Sequence, residues 1–437
     1  MQLYSTRNRN NLVSLKEAVL KGLPEDNGLY MPVRFPELEK SFIQNLHQYT
    51  FAEIGFEICS QLFNGAIPEH DLRNIIDQAI SFPAPLVQLD EQKYILELFH
   101  GPSLAFKDFG ARFMAQLMSY FNRGENQELV ILVATSGDTG GAVAAGFHQA
   151  PGIKVVILYP SGKVSMLQEK QLTTLGHNVT ALEIDGTFDD CQALVKQAFL
   201  DSELKENIRL SSANSINIAR LIPQSFYYFE AYKQLAKDGN PVVFCVPSGN
   251  FGNLTAGLIA QKMGLPIQHF IAATNANDVV PEYLSSGQFT PRPSVRTLSN
   301  AMDVGNPSNF ARLLDLYKNS KSSTWNIMKH SISSFHFSDS ETEFGLKEVS
   351  DKYNYTIDPH GAVGYLALKE YQKTNKNTRG IILETAHPSK FNDDVERILG
   401  HKIEIPERLA KLAKLKKEAI SIPNAYPVFK DWLLKQY

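Results

Sequence analysis

Residues 128–141 read ELVILVATSGDTGG, and residues 241–253 read PVVFCVPSGNFGN. Each is a β-branched, nearly continuous apolar run that breaks into a glycine-rich turn. A strand of that composition has no polar face. It is expected to lie buried on both sides, as in a parallel sheet covered by helices. Small-residue stretches follow both turns, AVAAGF and LTAGLIA, and predict a helix after each. Two strand–turn–helix units therefore offer two ligand-binding turns at the carboxyl ends of strands, where open α/β sheets bind ligands.

Working outward, further strands are expected at KVVILYP (154–160), VTALEID (179–185), HFIAAT (269–274) and RGIILETA (379–386). They alternate with helical stretches from about residue 94 onward, which makes the class α/β with wound, mostly parallel sheets. Residues 1–85 read differently, as a helix-rich extension. SLKEAVLKGL and FAEIGFEICSQLF have helical spacing, and GLPEDNGLYMP is rich in turn formers. Near the end, ERLAKLAKLKKEAI (407–420) predicts a basic amphipathic helix on the surface.

At 437 residues the chain is long enough for two or three domains, each with its own core. Its net charge of −3 gives no electrostatic reason to expect nucleic acid or an anionic membrane as a partner. Cys59, Cys191 and Cys245 are too few and too scattered for a disulfide framework or a cysteine-based zinc site. No metal is expected. The first residues lack the apolar stretch of a signal peptide, and no run of 18 apolar residues occurs, so a cytoplasmic location is expected.

Five segments carry candidate chemistry. In SGNFGN (248–253), Gly249 and Gly252 allow a sharp turn whose backbone N–H groups converge at a helix N-terminus, a setting that favours a phosphate. A plain tight turn fits the same residues. In TSGDTGG (135–141), the hydroxyls of Thr135, Ser136 and Thr139 can donate to oxygens. Asp138 would repel a phosphate. It faces a different group, such as a phenolic oxygen or a Schiff-base nitrogen, or it caps the following helix. Lys107 sits among Leu104, Ala105, Phe106 and Phe109. Apolar surroundings would lower its pKa and make it an amine nucleophile and base, unless it snorkels to solvent. In NSINIARLIPQ (214–224), Asn214 and Ser215 are polar and Arg220 offers a fork for phosphate or carboxylate; a helix cap and a surface arginine is the plain alternative. Thr385, in ETAHPSKF (384–391), stands at the end of a buried strand.

Taken together and in order, LAFKDFGARF, TSGDTGG, NSINIARL, PSGNFGN and ETAHPSKF resemble the threonine synthase family, and GLPEDNGLYMP resembles its opening segment. The resemblance covers nearly the whole chain. It implies a fold-type-II pyridoxal 5′-phosphate enzyme with the tryptophan synthase β-like fold. Lys107 would form the Schiff base with the cofactor. Gly249, Asn250, Phe251, Gly252 and Asn253 would cradle its phosphate, and Thr385 would face the pyridine nitrogen. Asp138 would lie near the 3′-oxygen, where many relatives in the wider fold group carry Asn. Thr135, Ser136, Thr139, Asn214, Ser215 and Arg220 would bind the substrate, with Arg220 on its phosphate. The implied substrate is O-phospho-L-homoserine, and the implied products are L-threonine and phosphate. A serine/threonine dehydratase, a phospho-lyase for a close analogue and a non-catalytic relative remain as alternatives. The implied division is an extension at 1–85, a large cofactor-binding domain at 86–110 and 226–437, and a small domain at 111–225, in a monomer or homodimer.

Overall fold

The computed structural model describes residues 1–135, 137–235, 242–318 and 322–437. The chain opens with a small antiparallel sheet in which β1 (Gln2–Ser5) lies between β2 (Leu12–Ser14) and β3 (Tyr30–Pro32). Four helices complete the extension, and their ends follow from local chemistry. Ser14 accepts from the backbone of Glu17 to start Leu15–Lys21. A reciprocal Thr50–Glu53 capping box starts Phe51–Phe63, and Asn64 ends it in a left-handed conformation. The sheet was not expected. Strands of three or four residues are too short to show alternation.

Two strands, β4 (Leu86–Gln88) and β5 (Lys93–Glu97), precede the helix Lys107–Phe121. Then follow β6 (Leu129–Ala134), β7 (Ile153–Pro160), β8 (Val179–Asp185) and β9 (Arg209–Ser212). The remaining strands are β10 (Val242–Pro247), β11 (His269–Thr274), β12 (Ile332–His336), β13 (Arg379–Glu384) and β14 (Ile420–Pro423). One sheet has the order β12-β11-β10-β13-β5-β4 and is parallel except for β4 against β5. The other has the order β14-β8-β7-β6-β9 and is parallel throughout.

The apolar strands alternate between cores. Leu129, Ile131 and Val133 of β6 join the same cluster as Val242, Phe244 and Val246 of β10. The opposite side of β6, Val130, Leu132 and Ala134, packs into a second cluster, and Val243 and Cys245 of β10 into a third. One continuous core thus lies between the two sheets, with the helix Lys107–Phe121 contributing Phe109, Phe113 and Leu117 to it. This explains why the strand sequences show no polar face.

Two expectations for the carboxyl-terminal region need correction. The stretch 407–420 is helical only at Glu407–Ala413, and its last residue begins β14. Within that span it is amphipathic and on the surface as expected: Leu409 is buried against Leu104 and Leu167, Lys411 is exposed, and Arg408 donates to the carbonyls of His100 and Phe99. Strand β14 then pairs with β8, so 420–437 belongs with the sheet of β6–β9 and not with the cofactor domain assigned to 226–437. A four-residue strand with one buried side chain carries no signal of which sheet it will join. The terminal helix Tyr426–Gln436 buries Phe429 and Leu433 on that sheet. Phe429→Ala should lower the unfolding free energy by about 3–5 kcal/mol, seen as a lower urea midpoint. Val428→Ala on the exposed face should change it by no more than about 0.5 kcal/mol.

Candidate active site

Four loops leave the carboxyl ends of parallel strands: 135–137 after β6, 213–217 after β9, 248–251 after β10 and 385–387 after β13. The segment before Lys107 is fastened to the last of these. Ala105 bridges Ala386, the N–H of Phe106 donates to the Thr385 carbonyl at 2.8 Å, and that of His387 to the Leu104 carbonyl at 3.0 Å. Backbone pairing therefore sets buried Thr385 beside the start of the Lys107 helix.

Lys107 does not snorkel. Its side chain retains 16% exposure, and Nζ lies 4.0 Å from Oδ2 of Asp138. Burial pulls its pKa down to about 8; Asp138 opposes the shift, while Lys390 and Arg220 add to it. Asp138 belongs to the first turn of the helix Asp138–Phe147, whose N-cap is Gly137, so it is not the cap residue. Its other oxygen accepts from Lys390 Nζ at 2.7 Å and from Gln168 Nε2 at 2.9 Å. Burial works to raise the Asp138 carboxyl, but Lys390 and Lys107 outweigh it and hold the group far below the usual carboxylate range.

The glycine turn has the form a phosphate needs. A Cβ on Gly249 would stand 2.6 Å from the Met302 Cα, so the backbone runs too close to its neighbour for any side chain. Phe251 takes a left-handed φ of 58°, and the helix Gly252–Lys262 that follows has no side-chain cap. The Leu254 N–H donates to Asn253 Oδ1 at 3.0 Å, which leaves the N–H groups of Gly252 and Asn253 for an anion. The side chains do other work. Asn250 Nδ2 donates to Ser215 Oγ at 2.6 Å, its Oδ1 accepts from the Ser308 N–H, and Asn253 Nδ2 donates to the Pro247 carbonyl.

Arg220 is buried, not on the surface. Nη1 donates to the Ala213 carbonyl at 2.6 Å, whereas Nε has no partner. Burial lowers its pKa to about 10 and Asp108 opposes the shift, so it stays charged near neutral pH. Asn214 likewise leaves a buried Oδ1 without a partner. Thr135 Oγ1 closes its own turn by accepting from the N–H groups of Gly137 and Gly140. Thr139 is half-buried on the next turn, and Ser136 lies outside the described residues.

Sequence reasoning missed several participants. Lys390 stood inside ETAHPSKF, yet only Thr385 was singled out there. It is fully buried and also donates to the Ser103 carbonyl at 2.8 Å. Gln168 comes from a helix with no distinctive motif. Asp108, next to Lys107, is a buried carboxyl whose pKa burial raises to about 6.

The comparisons with known proteins agree along the whole chain. A family model described as "Pyridoxal-phosphate dependent enzyme" matches residues 80–383. Models for the threonine synthase N terminus and C-terminal region match 2–80 and 361–432. The threonine synthase of Haemophilus influenzae is 48% identical over 436 residues, covering 100% of both chains. The crystal structure of threonine synthase from Escherichia coli superposes with a TM-score of 0.92 at 44% identity, covering 100% of both chains. That of the PLP-bound enzyme from Brucella melitensis gives 0.93 at 35% identity, covering 100% of this chain and 99% of the other. With half-buried Lys107 facing Asp138 and an uncapped glycine turn beside them, the chain belongs to the threonine synthase family of pyridoxal-phosphate dependent enzymes.

Proposed function

We propose that the chain converts O-phospho-L-homoserine and water to L-threonine and phosphate, by γ-elimination followed by addition of water at Cβ. The observation that carries this reading is an amine with a depressed pKa and no bonded partner among the described residues, Lys107, in a site that also holds a buried, underused guanidinium. The residues present fit pyridoxal 5′-phosphate. At Gly249 the turn excludes a Cβ, the helix N–H groups of Gly252 and Asn253 are uncapped, and among the described residues Lys107 has no hydrogen-bond partner, its nearest carboxylate oxygen lying 4.0 Å away. In this assignment Gly249, Asn250, Phe251, Gly252 and Asn253 hold the cofactor phosphate, Lys107 takes its aldehyde, and Thr385 faces the ring nitrogen. Asp138 is assigned to the 3′-oxygen side, with its charge offset by Lys390. When bound, the cofactor supplies the electron sink that makes a C–H bond next to the substrate amine acidic.

The protein's own groups supply proton transfer and charge. At a pKa of about 8, Lys107 is neutral in a useful fraction of molecules near neutral pH, so it can accept the Cα proton and return protons at Cβ. Arg220 stays protonated and can donate its unpartnered Nε–H to the substrate phosphate, stabilising it as it departs from Cγ. Asn214, Ser215, Thr135, Ser136 and Thr139 are assigned to orient the substrate. A dehydratase acting on serine would have no use for a buried guanidinium with a spare donor. The same reading divides the chain into 1–85, a cofactor-binding domain of 86–110 with 226–419, and a smaller domain of 111–225 joined by 420–437. It also carries a cytoplasmic location, supported by three buried free thiols, and a monomer or homodimer.

Phosphate release from O-phospho-L-homoserine tests the assignment, with serine assayed beside it. Lys107→Ala should reduce release by about 10²–10⁴-fold or more. Arg220→Ala should reduce it by about 10–100-fold while leaving the visible absorbance of the bound cofactor in place. Turnover of serine in preference to the phosphorylated substrate would overturn the reading. A second prediction concerns the amine itself. Lys390→Met removes a repelling charge and frees Asp138 for Lys107, so the Lys107 pKa should rise above about 8. Reductive methylation of Lys107 in the cofactor-free protein should then need a higher pH than in the parent.

A further inference from the structure

Arg312 is fully buried and all five of its N–H donors are placed. Nε and Nη2 both reach the Tyr30 carbonyl, at 3.3 and 3.1 Å, and Nη2 also donates to the Ile216 carbonyl at 2.7 Å. Nη1 donates to the Ser215 carbonyl at 3.1 Å and to Asn309 Oδ1 at 2.7 Å. None of these acceptors is a carboxylate. The guanidinium therefore acts as a fork that fixes backbone and one side-chain amide, in place of an ion pair.

The contact with Asn309 has a consequence for that amide. A guanidinium can only donate, so Asn309 must turn its oxygen toward Arg312 and its NH₂ away. That NH₂ is buried and has no partner among the described residues. It does not cap its own helix either, since Phe310–Leu316 has no side-chain cap. It lies 3.4 Å from where a Cβ on Gly252 would stand, against the first residue of the uncapped helix Gly252–Lys262. Asn250 holds the preceding residue in place by accepting from the Ser308 N–H at 2.6 Å.

We propose that the side-chain amide of Asn309 is a further donor to the cofactor phosphate, with Arg312 as the positioning residue that orients it. The proposal rests on the assignment of the 249–253 turn to that phosphate. A buried amide donor without an acceptor is costly, and an anion at the helix N-terminus would satisfy it. Arg312 also joins β3, through Tyr30, to the segment carrying Ser215. The extension, the substrate-side loop and the phosphate turn therefore share one anchor.

The test compares the affinity of the cofactor-free protein for pyridoxal 5′-phosphate and for pyridoxal, which lacks the phosphate. The ratio of the two reports the phosphate site alone. Asn309→Ala should lower the ratio about tenfold. Asn309→Asp replaces the donor with a carboxylate that Arg312 can still pair, so the fold is kept while the phosphate is repelled. It should lower the ratio by about a hundredfold. Arg312→Lys keeps the charge but not the fork and should also lower the ratio, with pyridoxal affinity unchanged in every variant. If both Asn309 variants keep the parental ratio, the amide is no phosphate ligand and the proposal falls, while the turn assignment stands. If the parent itself shows no preference for the phosphorylated form, the turn assignment falls and takes the proposal with it.

Discussion

The carboxylate of Asp138 stands between two lysine ammonium groups in a region nearly closed to water. Charges in such a place are held only by one another and by fixed dipoles. Lys390 takes the short contact, at 2.7 Å, and Lys107 the long one, at 4.0 Å. That inequality matters. Lys390 is locked by its bonds to Asp138 and Ser103, whereas Lys107 is close enough to feel the carboxylate and, among the described residues, is bonded to nothing that must be broken before it reacts. A structural lysine thus leaves a neighbouring one chemically free.

The surrounding charges follow the same logic. Lys107, Lys390 and Arg220 bring positive charge to the site, against Asp138 and the partly protonated Asp108. A site built this way favours ligands that bring negative charge with them. The uncapped helix at Gly252 adds backbone donors of the same sign. Buried donors without partners among the described residues, at Arg220 and Asn309, would be satisfied by such a ligand.

Position is supplied by the sheets. Both turn their carboxyl ends to the same region, and the core they share fixes the distance between the loops that leave those ends. Three of the strands that deliver the loops, β6, β10 and β13, are buried on both faces, so a shift of one residue would move every side chain between two cores. The loops are therefore carried by the most over-determined part of the molecule, while the reactive groups sit just beyond it.

Much of this was legible in the sequence. The central strands could be read within a residue or two because burial on both faces leaves an unmistakable apolar run, as in 129–134 and 269–274. The glycine turns could be read because only a few residues permit such a backbone. Short strands could not: β1–β3, β9 and β14 bury too few side chains to leave a pattern. Lys107 was recognised from its apolar neighbours and from motif resemblance. Lys390 and Arg312 look like any other basic residue in sequence, because what makes them matter is the absence of water around them.

The sequence alone, then, determined the class of fold, the two glycine-rich turns and the amine that precedes them, since each depends on residues adjacent in the chain. Only the tertiary structure decided which charges share a space. Asp138 meets a lysine 252 positions away through a contact between separate strands' loops, and Arg312 reaches Tyr30, Ser215 and Asn309 at once. Pairing of that kind depends on burial and distance, and neither quantity exists until the chain has folded.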